Sequence, residues 1–333
     1  MMAESTTTVN QGASHGEALK TAPEAMPGTM GITPEAMPGT TAISIVEQVV
    51  CRSLADVWSD WTEKRERVTQ AWLGSRVEVV AGEQEPRDGW RKVRLPDQGD
   101  YDGWMRVEDV THLAITDPSP LCVITEPVVK VAPSSPTLQG GFFSDRQGPT
   151  PFSELSREGE DEDWLPMGVR LPLMECSGGA AALQMFDGSL RWAPEEAIGR
   201  WPSADRQSGQ GVLHLAAKFL GRPYLWGGMG WPGIDCSGLV FIAFWTSGIQ
   251  IPRDAGDQWA ASEAIEEEEA SPGDLIFFSS QPPQLDHVGL VAGERTFLHA
   301  SSSLGGVCYS KWDESRWRDM RVGFRRVAGL RQK

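Results

Sequence analysis

Cys236 stands where a glycine-punctuated loop, Tyr224-Leu225-Trp226-Gly227-Gly228, leads through Ile234-Asp235 into an apolar run, Cys236-Ser237-Gly238-Leu239-Val240. That context predicts a thiol on the first turn of a helix, beside backbone N–H groups that lack an intrahelical partner. The partial positive charge there favours a thiolate and is expected to lower the thiol pKa. His287 and His299 lie in two β-like runs joined by Gly293-Glu294-Arg295. A hairpin register centred on Gly293 would make them direct cross-strand partners on one face, with Cβ atoms roughly 5 Å apart. Two imidazoles that close can hydrogen-bond, one fixing the tautomer of the other. A sulfur delivered to that face by the helix N-terminus completes a nucleophile, a base and an orienting group. This is the chemistry of a cysteine hydrolase.

The elements that must position these groups are also readable. Val212, Leu213, Ala216, Phe219 and Leu220 recur at helical spacing until Gly221 and Pro223. The Cys236 helix is predicted to run to Ser247, with Gly248 as its stop. After Glu266–Glu269, which reads as solvated, three strands are expected at 274–279, 287–292 and 296–301. Helices followed by an antiparallel sheet make an α+β domain.

Upstream, short strands at 77–80, 90–95 and 103–107 between Gly, Pro and Asp clusters indicate a small barrel. A weaker version recurs at 169–173, 182–186 and 190–192, with Asp187-Gly188 as a hairpin turn. The two units end alike. Trp104 precedes Val110 across Glu108-Asp109, and Trp192 precedes Ile198 across Glu195-Glu196. The expected organisation is a disordered tail at 1–42, a first barrel at 43–115, a second at 116–205 and the catalytic domain at 206–333. The tail repeats Pro-Glu-Ala-Met-Pro-Gly-Thr at 23–29 and 34–40, and the second barrel carries an acidic Gly/Pro-rich insertion at 134–163.

Forty-six Asp and Glu against 30 Lys and Arg give a formal charge of −16, which argues against a nucleic-acid partner. The end of the chain, 311–333, is locally basic, but Trp312, Trp317, Val322 and Phe324 make it read as a packed final strand. No stretch approaches the roughly 18 apolar residues of a membrane span. Residues 1–20 show neither a basic nor an apolar leader region, so the expected setting is cytoplasmic, with an extracellular or cell-envelope location as the alternative. Five cysteines (51, 122, 176, 236, 308) without CxxC spacing indicate neither a disulfide framework nor a zinc knuckle; the four besides Cys236 read as small core residues. His15, His112 and His214 read as structural or incidental. Cys236, His287 and His299 lack the compact ligand spacing of a zinc site, so no metal or organic cofactor is expected.

Residues 208–328 resemble the NlpC-type papain-like cysteine peptidases that cut bacterial cell-wall peptides. The matching pieces are 221–228, 235–238, Pro252-Arg253-Asp254 with Gln258, 271–275, 286–289 and 298–300. The resemblance implies Cys236 as nucleophile, His287 as general base, His299 as third polar member and Tyr224 near the oxyanion. The upstream units resemble bacterial SH3-like domains, so the whole is similar to γ-D-glutamyl-L-diamino acid endopeptidases of the dipeptidyl-peptidase VI type. The first barrel matches at 66–70, 92–98 and 101–104. In that subgroup a glutamate and a tyrosine hold a free N-terminal amine. They map to Glu66 and Tyr101, with Asp235 and Ser237 contributing. Arg253 is open between a substrate carboxylate and a surface salt bridge. The expected substrates are peptidoglycan-derived peptides with a free N-terminal L-Ala. Two rivals stand beside this: a wall-binding module with vestigial catalysis, and a thiol acyltransferase or amidase.

Overall fold

The computed structural model describes residues 45–83, 85–115, 121–134 and 163–332. The expected tail at 1–42 and nearly all of the acidic insertion lie outside the described residues, which all belong to the unit Ile43–Lys333.

The first sheet comprises β1 (Ile45–Val50), β2 (Leu54–Trp58), β3 (Arg67–Trp72), β4 (Arg76–Val79), β5 (Trp90–Leu95), β6 (Tyr101–Arg106) and β7 (Val110–Ile115), in the order β3-β2-β6-β5-β4-β1-β7. Strand alternation sets its inner face: in β2, Ala55 and Val57 are buried between half-exposed neighbours. With Val50, Ala71, Val77, Val93, Leu95 and Met105 they form a small core. The second group comprises β8 (Leu121–Ile124), β9 (Val128–Lys130), β10 (Trp164–Pro166), β11 (Arg170–Ser177), β12 (Ala180–Gln184), β13 (Leu190–Pro194) and β14 (Ile198–Arg200). Its main sheet runs β13-β12-β11-β8-β14, while β9 and β10 form a separate ribbon.

These two orders are one topology used twice. The run β6-β5-β4-β1-β7 corresponds strand for strand to β13-β12-β11-β8-β14. In each, a 3-10 turn (Val107–Asp109 or Glu195–Ala197) leads into a last strand that pairs with the first strand of its unit. The shared Trp-and-acid endings are the sequence trace of that repeat. Among the described residues each order has two ends and does not close into a barrel.

The third part contains α1 (Gly209–Ala217), β15 (Met229–Gly230), β16 (Gly233–Ile234), α2 (Cys236–Ser247), α3 (Ala255–Ala260), β17 (Ser262–Ile265), β18 (Leu275–Phe278), β19 (His287–Gly293), β20 (Thr296–Ser301), β21 (Gly306–Lys311), α4 (Ser315–Met320) and β22 (Arg321–Val327). Its sheet runs β17-β22-β18-β19-β20-β21. The sequence reading found the three central strands and the packed final strand. It missed β17 and β21, edge strands whose outward residues are polar or exposed and so interrupt any apolar run.

All 12 residues of α2 are buried. A helix apolar on every side must be enclosed on every side, and here all three parts of the molecule contribute. Val288, Leu290 and Leu298 of the sheet share one core with α2. Trp72 of β3 meets Phe241 and Trp245 with centroids 6.0 and 5.5 Å away. The Trp245 indole donates to the Gly168 carbonyl at 2.9 Å, and its ring faces the Arg170 guanidinium. Asp235 caps the start of α2, and Gly248, at φ +90, ends it in the left-handed conformation.

Two smaller expectations are corrected. Among the four further cysteines only Cys122 is buried; Cys51 and Cys308 are half-buried and Cys176 is exposed. Glu267 of the acidic stretch is engaged rather than merely solvated, accepting from the Trp312 indole at 2.9 Å and pairing with Arg321 at 2.9 Å. Among the described residues no helix is long and apolar enough to cross a membrane.

Candidate active site

Cys236 occupies the first turn of α2 with 7% of its surface exposed. The Ser237 and Val288 backbone N–H groups face its sulfur, and Val288 directly follows His287 on β19. The helix start and the histidine strand therefore meet at the thiol.

The two histidines do interact, in a different register from the one expected. β19 and β20 pair Leu290 with Leu298 and Val291 with Phe297, with a bulge before Gly293. Gly293 pairs with Thr296, so the turn is centred on the two residues between them, Glu294 and Arg295, whose φ values of +51 and +59 are positive as that of Gly293 is at +98. Continuing the pairing one step sets His299 opposite Gly289. The displacement is an even two residues, so both histidines keep one face and become diagonal neighbours. Their rings close the gap: His287 Nε2 lies 2.7 Å from His299 Nδ1. Gly289 opens this diagonal, because a Cβ there would come within 3.2 Å of His299 Cβ and 2.6 Å of Phe297 Cδ2. Gly289→Ala is expected to push His299 off its partner. Even a 1 Å misplacement can cost on the order of 100-fold in rate, so kcat should drop roughly 10- to 100-fold, checked by steady-state kinetics beside a Tm measurement.

Aromatic rings wall the pair. Trp317 of α4 stacks on His287 (centroids 5.4 Å, 24°) and meets His299 edge-on at 4.8 Å. Phe297 lies 4.4 Å from His299. Loss of water pushes His287 down to about 4, with Asp286 opposing, and His299 down to about 3, with the neighbouring His287 adding to the effect. Both rings are neutral at pH 7. Burial likewise pushes the Cys236 thiol up to about 12, with the Asp235 charge adding to it and the two N–H groups opposing.

This corrects the expectation of a thiol ionised in advance by its helix. A helix terminus contributes roughly 0.3–1 kcal/mol at a surface, which does not offset the removal of solvent from a nearly enclosed sulfur. At rest the thiol and both imidazoles are neutral. His287 engages His299 through Nε2, which leaves its Nδ1 outside that bond.

Tyr224 sits in a segment held on both sides, bridged to Ile234 and, through Pro223, to Gly306. Burial, with the Asp235 charge adding to it, raises its phenol far above the ordinary range. It therefore remains an O–H donor near the sulfur.

Arg253 is neither a surface ion pair nor free to meet a substrate carboxylate. Its side chain is 1% exposed. Nη2 donates to Asp235 Oδ2 at 2.6 Å, Nη1 to Ser237 Oγ at 2.8 Å and Nε to Thr69 Oγ1 of the first sheet at 3.0 Å. Asp235 is equally committed, accepting from the Gly238 N–H at 2.7 Å and the Gly227 N–H at 2.9 Å as well. Asp235 and Ser237 thus serve a buried clamp that ties the start of α2 to the first sheet.

The carboxylate that the first sheet does meet openly is Asp254, which the sequence reading placed within a motif without giving it a role. The Tyr101 hydroxyl donates to Asp254 Oδ2 at 3.2 Å, and the Asp254 side chain is 49% exposed. Burial raises the Asp254 carboxyl, Arg253 and Tyr101 opposing, and burial with the Asp254 charge raises Tyr101 far above its ordinary range. Glu66 is exposed and its backbone is tied to Ser59. The adjoining Arg67 carbonyl would lie 2.8 Å from a Cβ on Gly227. Glu66 thus borders the loop that precedes Cys236, where Trp226 stands 64% exposed.

A buried cysteine at a helix start, met by the backbone of the antiparallel strand that carries His287, is the arrangement of a papain-like cysteine hydrolase. Residues 221–326 match the NlpC/P60 family. The chain is 30% identical to the gamma-D-glutamyl-L-lysine dipeptidyl-peptidase of Bacillus subtilis (strain 168) over 240 residues, 70% of this chain and 71% of that protein. It is 40% identical over 119 residues, 35% of its length, to the bifunctional muramidase/DL-endopeptidase CwlT of the same organism, and spans 36% of that protein. An NlpC/P60 family protein from Bacillus cereus ATCC 10987 shares the fold with a TM-score of 0.67 at 21% identity, covering 84% of this chain and 99% of its own. The chain belongs to the NlpC/P60 family of cysteine peptidases and peptidoglycan hydrolases.

Proposed function

We propose that this protein hydrolyses the bond between γ-D-glutamate and the L-diamino acid of peptidoglycan stem peptides that carry a free N-terminal L-Ala. The observation that carries this reading is the Tyr101–Asp254 pair, formed between the first sheet and the catalytic part and open to solvent on the carboxylate side. An ammonium needs a carboxylate and neutral acceptors around it, and a site that pairs it out of water disfavours substrates lacking that charge. On this reading the exposed Glu66, beside the loop that precedes Cys236, is a second carboxylate for the amine. The name of the Bacillus subtilis relative, a gamma-D-glutamyl-L-lysine dipeptidyl-peptidase, supports the same bond. The repeated strand order of the two upstream sheets supports reading both as SH3-like folds, the first of which closes the substrate end of the cleft.

As the Cys236 sulfur attacks the carbonyl carbon, its proton passes to His287 Nδ1. The oxyanion is held by the backbone N–H of Cys236 and the Tyr224 hydroxyl. The amine leaves with the proton from His287, and a thioester remains on the sulfur. His287 then takes a proton from water, whose oxygen displaces the sulfur and releases L-Ala-γ-D-Glu. Fragments with free N-termini fit recycling of wall peptides in the cytoplasm. Comparing L-Ala-γ-D-Glu-diaminopimelate with its N-acetylated form tests the reading. Acetylation should lower kcat/KM by on the order of 100-fold or more; equal cleavage of both refutes amine recognition.

The depressed histidines have a further consequence. His287 loses its basic nitrogen only as pH falls through about 4. The acid limb of kcat/KM should therefore lie near 4 and not near the 6.5 of a free imidazole. Between 6.5 and about 4 the unfolded chain binds protons on His287 and His299 that the folded protein refuses, so stability declines as pH drops through that window. A kcat/KM profile and urea midpoints at several pH values check both.

A further inference from the structure

The hydrogen-bond chain does not stop at His299. Cys308 and Ser310 lie two residues apart on β21 and so share a face, and Cys308 is the direct cross-strand partner of His299. Ser310 Oγ lies 2.9 Å from His299 Nε2, and Cys308 Sγ lies 3.8 Å from the same nitrogen.

Direction matters here, because a neutral imidazole has one donor and one acceptor nitrogen. A serine hydroxyl can take either role; where the Ser310 oxygen is the acceptor, it accepts from His299 Nε2–H. His299 Nδ1 is then the bare nitrogen and must accept from His287 Nε2–H. That leaves His287 Nδ1 bare, which is the state able to take the thiol proton. Reversing the first bond reverses them all: a Ser310 hydroxyl donating to His299 would put a proton on His287 Nδ1 and remove the base. We infer that Ser310, by accepting from His299 Nε2–H, is a positioning residue that sets the tautomer of both histidines and thereby keeps His287 competent as a base. The inference rests on the reading of His287 as the base for Cys236.

Nitrogen-15 NMR of the histidine rings tests it without any substrate. At pH 7 the wild-type His287 should carry its proton on Nε2, and Ser310→Ala should shift it toward the Nδ1–H form or a mixture. Iodoacetamide alkylation of Cys236 should slow at least about tenfold in Ser310→Ala, and Ser310→Thr, which keeps the hydroxyl, should restore it. A wild-type His287 protonated on Nδ1 overturns the inference, as does a Ser310→Ala protein with unchanged tautomer and alkylation rate. Neither readout depends on which peptide is cleaved. Failure of the γ-glutamyl assay with the tautomer shift intact would therefore count against the substrate alone.

Discussion

Cys236→Ala is expected to reduce peptide hydrolysis by at least about 10⁴-fold while the folded state survives. The magnitude follows from the division of labour at the site: without sulfur no covalent intermediate forms, and only binding and oxyanion contacts remain. His287→Ala should cost a similar factor, and the double replacement little more than either, because groups that act as a unit are not additive. Mass spectrometry of a defined muropeptide set gives the rates, and a thermal melt confirms folding. An unaltered biological effect from Cys236→Ala would instead favour a wall-binding module with vestigial chemistry. Screening lipid esters and simple amides after active-site labelling separates the acyltransferase or amidase rival. The same variant probes the resting ionisation. If thiol and imidazole are both neutral, thiolate absorbance near 240 nm at pH 7 should be equal in wild type and Cys236→Ala.

Much of this site was legible because its signals are local. Asp235 before Cys236, an unbroken apolar run and Gly248 after Ser247 define a capped helix, and α2 has those bounds. The hairpin register was misplaced because Gly293, a residue type usual at positive φ, does take φ +98 but sits at the edge of the turn, whose two central positions are Glu294 and Arg295, residue types seldom found at positive φ. Its chemistry survived because a shift by an even number preserves the face. What sequence could not supply is burial imposed from far along the chain. Thr69 and Arg253 meet across 184 positions, so a residue type that is mostly exposed became the most enclosed cation of the site. The thiol ionisation was misjudged for the same reason: the helix terminus is a local feature, but the water is removed by walls assembled from distant parts of the chain, and the Asp235 charge adds to that effect.

Removing Arg253 is expected to be the most destabilising single change near the site. Arg253→Ala leaves Asp235 as a buried anion, 8% exposed in its side chain, without its cation. Breaking a buried pair from one side typically costs about 3–5 kcal/mol. Arg253→Lys should recover little, since one ammonium cannot address Asp235, Ser237 and Thr69 in the three directions that a planar guanidinium spans. Urea unfolding measures both. A loss below about 1 kcal/mol would mean that the guanidinium is solvated and the clamp absent. A mutant cycle with Asp235→Asn then separates pairing from packing. Asparagine keeps an oxygen for the Gly238 N–H but no charge, so the second change should cost far less once Arg253 is gone. Activity should not follow stability in that double variant. Asp235 fixes the first turn of α2, and Cys236 is its first residue, so relaxing the clamp displaces the sulfur from His287 even where the chain remains folded.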